Sequence, residues 1–181
     1  MLCLIAIKDS SIITAIIGLI GILIGFFLGE ISGWIRGRLR IKRLKKGLDL
    51  ELKSILRQIP CKNHTIKKAI DSLSRKRILN PSTVMFPTVF YKSSIVDLYE
   101  HLTDSQRTAL HIIYGIIDET EKFLAVMEKD IVDAINFEKI DKPYETFIKL
   151  LGDISIKHEH LREIINSYLS GKPIDVLEIK N

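Results

Sequence analysis

Hydrophobic and polar positions follow two different patterns along this chain. Residues 12–29 read IITAIIGLIGILIGFFLG, eighteen residues without a charge, and the apolar character resumes through Ile35 after Glu30. At ~1.5 Å of rise per residue, about 20 residues cross the hydrocarbon core of a bilayer, so residues 11–35 are expected to form a transmembrane helix. Ser10 and Ser11 precede the run and are placed to cap it. Trp34 falls where an interfacial aromatic belongs. A cleaved signal peptide fits badly, because the basic residues follow the apolar run and no small-x-small site ends it.

Past residue 47 the apolar positions take on helical spacing. The helix is expected to continue through 48–56, with Gly47 as a weak point, and to end at Pro60. A second helix is expected over 64–73, then a basic and polar connector over 75–85 containing Asn80-Pro81, with Pro87 soon after. Residues 94–102 read as a short third helix. Thr103 or Asp104 caps a long fourth helix with Leu110, Ile113, Ile117, Leu124, Met127 and Ile131 on its apolar face. Asp141, Lys142 and Pro143 open the fifth, which carries Phe147, Leu150, Leu151, Ile154, Leu161, Ile164, Ile165 and Tyr168. Gly171 with Pro173 beyond is its stop signal. No run alternates as a strand. The expected fold is all-α, one N-terminal transmembrane helix continuing into an antiparallel cytoplasmic bundle. Its parts are a short extracytoplasmic N-terminus (1–10), the transmembrane helix (11–35), a basic juxtamembrane helix (36–59), the bundle (60–171) and a tail (172–181).

Charge fixes the expected orientation. The chain carries 27 Lys and Arg against 22 Asp and Glu, a net +5. Seven of those bases, Arg36, Arg38, Arg40, Lys42, Arg43, Lys45 and Lys46, form a run without an acid. Removing that run leaves 5 − 7 = −2 for the rest, so the isoelectric point near 9.1 belongs to a collar and not to a basic domain. A slightly acidic domain is a poor nucleic-acid binder by bulk electrostatics. The positive-inside rule puts the C-terminal side in the cytoplasm of a cell with its helix in the inner membrane. Arg36, Arg38, Arg40, Lys42 and Arg43 would then lie among anionic headgroups, each worth about 1 kcal/mol. Cys3 and Cys61 would flank the bilayer on opposite sides, with neither disulfide framework nor zinc spacing.

Glycine is unevenly placed. Of ten glycines, Gly18, Gly21, Gly25, Gly29, Gly33 and Gly37 lie in or beside the apolar run, and the last five repeat every fourth residue. Such a series makes one slowly turning stripe, along which another helix approaches closely; close packing of this kind is what draws helices together in lipid. Self-association through Gly21, Gly25, Gly29, Gly33 and Gly37 is the expectation, against the alternative that membrane helices simply tolerate glycine. Glu30 adjoins the stripe. It either reaches back to the interface or faces the aqueous lumen of an assembly, as carboxylate rings do in cation pathways.

Chemistry-bearing patterns are sparse. Arg107 and His111 stand one turn apart on one face, a guanidinium and an imidazole that together suit a phosphodiester, or else an ordinary solvated pair. Arg57 and His64 have six residues between them but straddle the expected break at Pro60. His158 and Arg162 share a face that Glu159 and Glu163 mark as solvated. No phosphate loop, nucleophile elbow or metal-spaced acid cluster occurs, and no cofactor is expected.

A short Ile- and Lys-rich chain with one N-terminal transmembrane helix, then a helical domain with an Arg…His pair, resembles the small membrane accessory proteins of type VI-B CRISPR systems, which carry a divergent HEPN-like domain. The HEPN ribonuclease signature is Arg, four to six residues, then His. Arg107 and His111 have three between them, and Arg57 and His64 have six. The resemblance implies a scaffold-like HEPN bundle, an RNA-guided RNA-cleaving effector or its RNA products as partners, and a membrane assembly that strengthens antiphage defence by making the membrane leak. Helices of ~10 Å diameter need about six or more in a ring before hydrated ions pass. The expected function is therefore a homo-oligomeric pore, with a membrane-tethered adaptor or a HEPN-type ribonuclease as alternatives.

Overall fold

The computed structural model describes residues 2–77, 79, 84–136 and 142–172. Asn80-Pro81, Asp141, Pro173 and the tail beyond Lys172 lie outside the described residues, as do the side chains of Cys3 and Ile131. Four α-helices and one 3-10 turn occur among the described residues, and no strand: α1 (Leu2–Ser74), α2 (Val89–Leu98), the turn Tyr99–His101, α3 (Asp104–Asn136) and α4 (Pro143–Leu169). The all-α expectation holds. The chain divides into two units, Met1–Arg43 and Leu44–Asn181.

Several expectations about α1 are corrected. Ser10 and Ser11 lie inside a helix that begins at Leu2 and not at its N-terminus. Pro60 does not end the helix, and 64–73 is not a separate one: α1 runs through Pro60 to Ser74. Proline removes one i→i−4 hydrogen bond and crowds the carbonyl of residue 56. Here Pro60 is exposed, so the loss falls on the solvent side. The opposite side is buried at Leu48, Leu52, Ile55, Ile59, Lys62, Ile66, Ala69 and Leu73, all at 3% exposure or less. Their spacing alternates four and three without a break, the seam of a packed helix. Burying one large aliphatic side chain is worth about 1.5–3 kcal/mol, so the seam outweighs a local cost of ~3 kcal/mol.

Within the second unit, contacts fix the helix directions. Along α1, Glu51 meets Tyr114, Lys62 meets Glu121, and Ile66–Leu73 share a core with Leu124 and Met127. Helix α3 therefore runs parallel to α1. Helix α4 runs opposite to both: Phe147, Leu151 and Ile154 join the core at Ile66–Leu73, and His158 meets Asn63. Near the end of α4, Tyr168 comes within electrostatic reach of Asp49, and burial with that charge pushes its phenol up to about 12. The antiparallel arrangement thus holds for α4 alone, and the chain between α1 and α3 must travel back along the bundle.

Helix α2 is held during that return by α1. Thr88 precedes it but makes no side-chain cap. The cap comes instead from Glu51, whose carboxylate accepts hydrogen bonds from Phe90 N at 2.7 Å and Tyr91 N at 3.0 Å. A carboxylate at a helix N-terminus also meets the positive end of the dipole. Tyr114 donates its hydroxyl to the same carboxylate at 2.7 Å and stacks on Tyr91 with centroids 3.7 Å apart. The Phe90 ring fills the notch at Gly47, where an added Cβ would clash with it. Gly47 is therefore a seat for Phe90 inside a continuous helix and not a weak point.

Both caps expected around α3 and α4 form. Thr103 and Gln106 exchange side chain to backbone bonds of 3.3 and 3.1 Å, a capping box that assigns the cap to Thr103 and leaves Asp104 as the first helical residue. Gly171 takes φ +68 after α4, with Lys172 N bonded to Ser167 O at 3.0 Å.

Gly47→Ala should lower the stability of the detergent-solubilised chain by about 1–3 kcal/mol, because Phe90 must leave its seat. Gly115→Ala, where nothing lies within 4 Å of the new methyl, should raise it by about 0.5–1 kcal/mol through helix propensity. Thermal melts followed by circular dichroism check both signs.

Candidate functional site

In the first unit, every residue from Ile16 to Arg40 is exposed. The helix there is long and apolar enough to cross a membrane. None of Gly18, Gly21, Gly25, Gly29, Gly33 or Gly37 has a heavy atom within 4 Å of an added Cβ, so the glycine face is open along its length. Glu30 is exposed beside it. Each four-residue interval turns the stripe by about 40° around the axis. Arg36, Arg38, Arg40, Lys42 and Arg43 are exposed as well. Arg36 donates to Ser32 O at 3.2 Å, and the Arg38 guanidinium lies 4.5 Å from the Trp34 ring centre. Both side chains thus lean toward the helix N-terminus, the direction in which helical Cα–Cβ bonds tilt.

In the second unit the structure treats Arg107 and His111 differently. Arg107 donates from Nε and Nη2 to the Leu102 carbonyl at 3.2 and 2.9 Å. It also pairs with Asp104 at 3.1 Å and covers Tyr99 at 4.7 Å. That guanidinium secures the turn entering α3. His111 is exposed and lines a groove of about 450 Å³ together with Met85, Phe86, Tyr91, Tyr114 and Gly115. Arg107 does not line that groove. Arg57 and His64 are both exposed, and the break expected between them is absent: they sit on one continuous helix, two turns apart.

The reading of His158 as part of a solvated face is overturned. Its side chain is wholly buried and anchors an extended polar chain in the core. Asn63 donates from Nδ2 to Glu159 Oε1 at 2.9 Å, which turns its Oδ1 toward His158 Nδ1 at 2.8 Å. The imidazole proton therefore sits on Nδ1. Nε2 is a buried acceptor with no hydrogen-bond partner among the described residues. Burial first, then the Lys62 charge, hold this imidazole down to about 4. Phe86 stands edge-on to it, ring centres 5.4 Å apart. Lys62 Nζ lies 4.3 Å from the centre of the Phe86 ring and 2.6 Å from Glu121 Oε1. Glu121 in turn accepts the Phe86 backbone N–H at 3.1 Å.

Lys62, Asn63, Phe86 and Glu121 are not among the residues that the sequence singles out, and His158 is singled out only as part of a solvated face. One signal was present: Lys62 falls on the four-three seam of α1, where a charge demands a buried partner. Among the described residues, no group of three His, Cys, Asp or Glu is placed to hold a metal ion. The chain matches no family model, no curated protein and no solved structure. The HEPN-like resemblance therefore rests on architecture and composition.

Lys62→Ala should cost about 3–5 kcal/mol, since it strands Glu121 in a half-buried site. His111→Ala should stay within about 0.5 kcal/mol of the parent. Chemical denaturation of the two variants side by side tests that separation.

Proposed function

We propose that this chain is a single-pass inner-membrane protein that self-associates through its glycine face and permeabilises the membrane. The observation that carries the reading is the open face at Gly21, Gly25, Gly29, Gly33 and Gly37 on a fully exposed apolar helix. Exposed in water, that surface would be a liability; in lipid, a face without side chains is where helices pack. The basic collar supports an orientation with the N-terminus outside and the bundle in the cytoplasm. Six or more such helices in a ring would leave a central path, with Glu30 beside the packing face as its carboxylate ring. The resemblance to type VI-B accessory proteins extends the proposal to antiphage defence beside an RNA-guided RNA-cleaving effector. A membrane-tethered adaptor is the second reading. It is favoured by the groove beside His111, whose rim exposes Met85, with Val84 and Val89 exposed near it in sequence. A ribonuclease is the least supported, because Arg107 is engaged by Leu102, Asp104 and Tyr99.

Light scattering on the detergent-solubilised protein, corrected for the micelle, should give one species of about six or more protomers. Gly25→Leu with Gly29→Leu should reduce it to monomer or dimer and abolish ion leak from liposomes. A wild-type monomer would leave the adaptor reading in front, and leak that survives the double substitution would remove the glycine face from the mechanism.

A further inference from the structure

Phe86 separates two features of the second unit. On one side its ring forms part of the wall of the groove with His111, Tyr91 and Tyr114. On the other it stands edge-on to the buried His158 imidazole. It is carried by the non-helical segment 84–88, whose neighbours Val84 and Met85 are 83% and 67% exposed. What holds Phe86 in place is its own burial, the ammonium of Lys62 over its ring and one backbone bond to Glu121. Helix α2, directly after it, has separate fastenings at Glu51 and Gly47.

We propose that Phe86 and the segment carrying it form an acid-released latch, whose opening joins the His158–Asn63 pair to the groove beside His111. A proton on Nε2 would create a buried N–H without an acceptor, within electrostatic reach of the Lys62 ammonium. The charged groups around the imidazole offer no relief. Lys62 from α1 repels the new charge. Glu121 from α3 is bound to Lys62 and to Phe86 N. On α4, Glu159 is bound to Asn63 and Arg162. Displacing one ring on a non-helical segment admits water to Nε2 at far lower cost than parting the helices.

In the latched state the imidazole titrates at about 4, and in an open, hydrated state near its ordinary value of 6.5. The open form binds the extra proton between these limits, so acidification favours it and neutral pH favours the latched form. The open population at pH 5 should exceed that at pH 7.5 by about 30-fold.

Amide hydrogen exchange on the full chain in detergent micelles tests this, with rates corrected for intrinsic pH dependence. The Phe86 amide should open about 30-fold more often at pH 5 than at pH 7.5, while Phe90 and Tyr91, bonded to Glu51, keep their protection. His158→Gln should abolish the increase. Loosening that persists in His158→Gln would overturn the latch, as would simultaneous loss of protection at Phe90 and Tyr91. Should His158→Gln fail to fold, Phe86→Ala gives an independent readout. Its His158 should titrate near 6.5 by NMR, and a value still near 4 would equally overturn the proposal.

Discussion

The four-three seam of α1 is the contact on which the second unit depends. Leu48, Leu52, Ile55 and Ile59 are buried before Pro60, and Ile66, Ala69 and Leu73 after it. Every other element of the unit is registered against that line. Helix α2 is capped and seated at Glu51 and Gly47, α3 pairs with Glu51 and Lys62, and α4 pairs with Asn63. A break at Pro60 would separate the upper half of these contacts from the lower. The proline is tolerated because its missing donor faces water while its neighbours face the core.

Polar groups at the seam give the bundle its register. An aliphatic seam alone would permit α3 and α4 to slide by a turn with modest loss. Glu51 and Lys62 allow no such slip, since each must find its partners or remain a buried charge. The two centres differ in character. The Glu51 centre is complete, with both carboxylate oxygens accepting from backbone or phenol. The His158 centre leaves Nε2 without a partner among the described residues. A fully satisfied network rigidifies its surroundings, and a partly satisfied one is where a structure yields first.

Features set by local rules were legible in the sequence. Thr103 and Gln106 spell a capping box, Pro143 sits at a helix start, and Gly171 at a stop, each readable within four residues. The apolar run and its glycine spacing are equally local. What sequence reading missed depends on distant partners. Glu51 caps a helix that begins 38 residues later, which no local rule reveals. Pro60 reads as a stop because its local cost is visible in the sequence and the compensating burial is not. His158 reads as solvated because Glu159 and Glu163 mark its stretch as charged, yet Glu159 pairs with Arg162 on the outer side while the imidazole turns inward.

The parallel course of α1 and α3 has a consequence for the order of synthesis. Lys62 and Asn63 emerge from the ribosome early, but their partners Glu121 and His158 lie 59 and 95 residues further along. At a synthesis rate of about 5–20 residues per second, Asn63 waits roughly 5–20 seconds for its imidazole. Throughout that interval the seam of α1 has no α4 to cover it, while the preceding apolar run is already available for insertion. The nascent bundle therefore cannot be completed until α4 has been made.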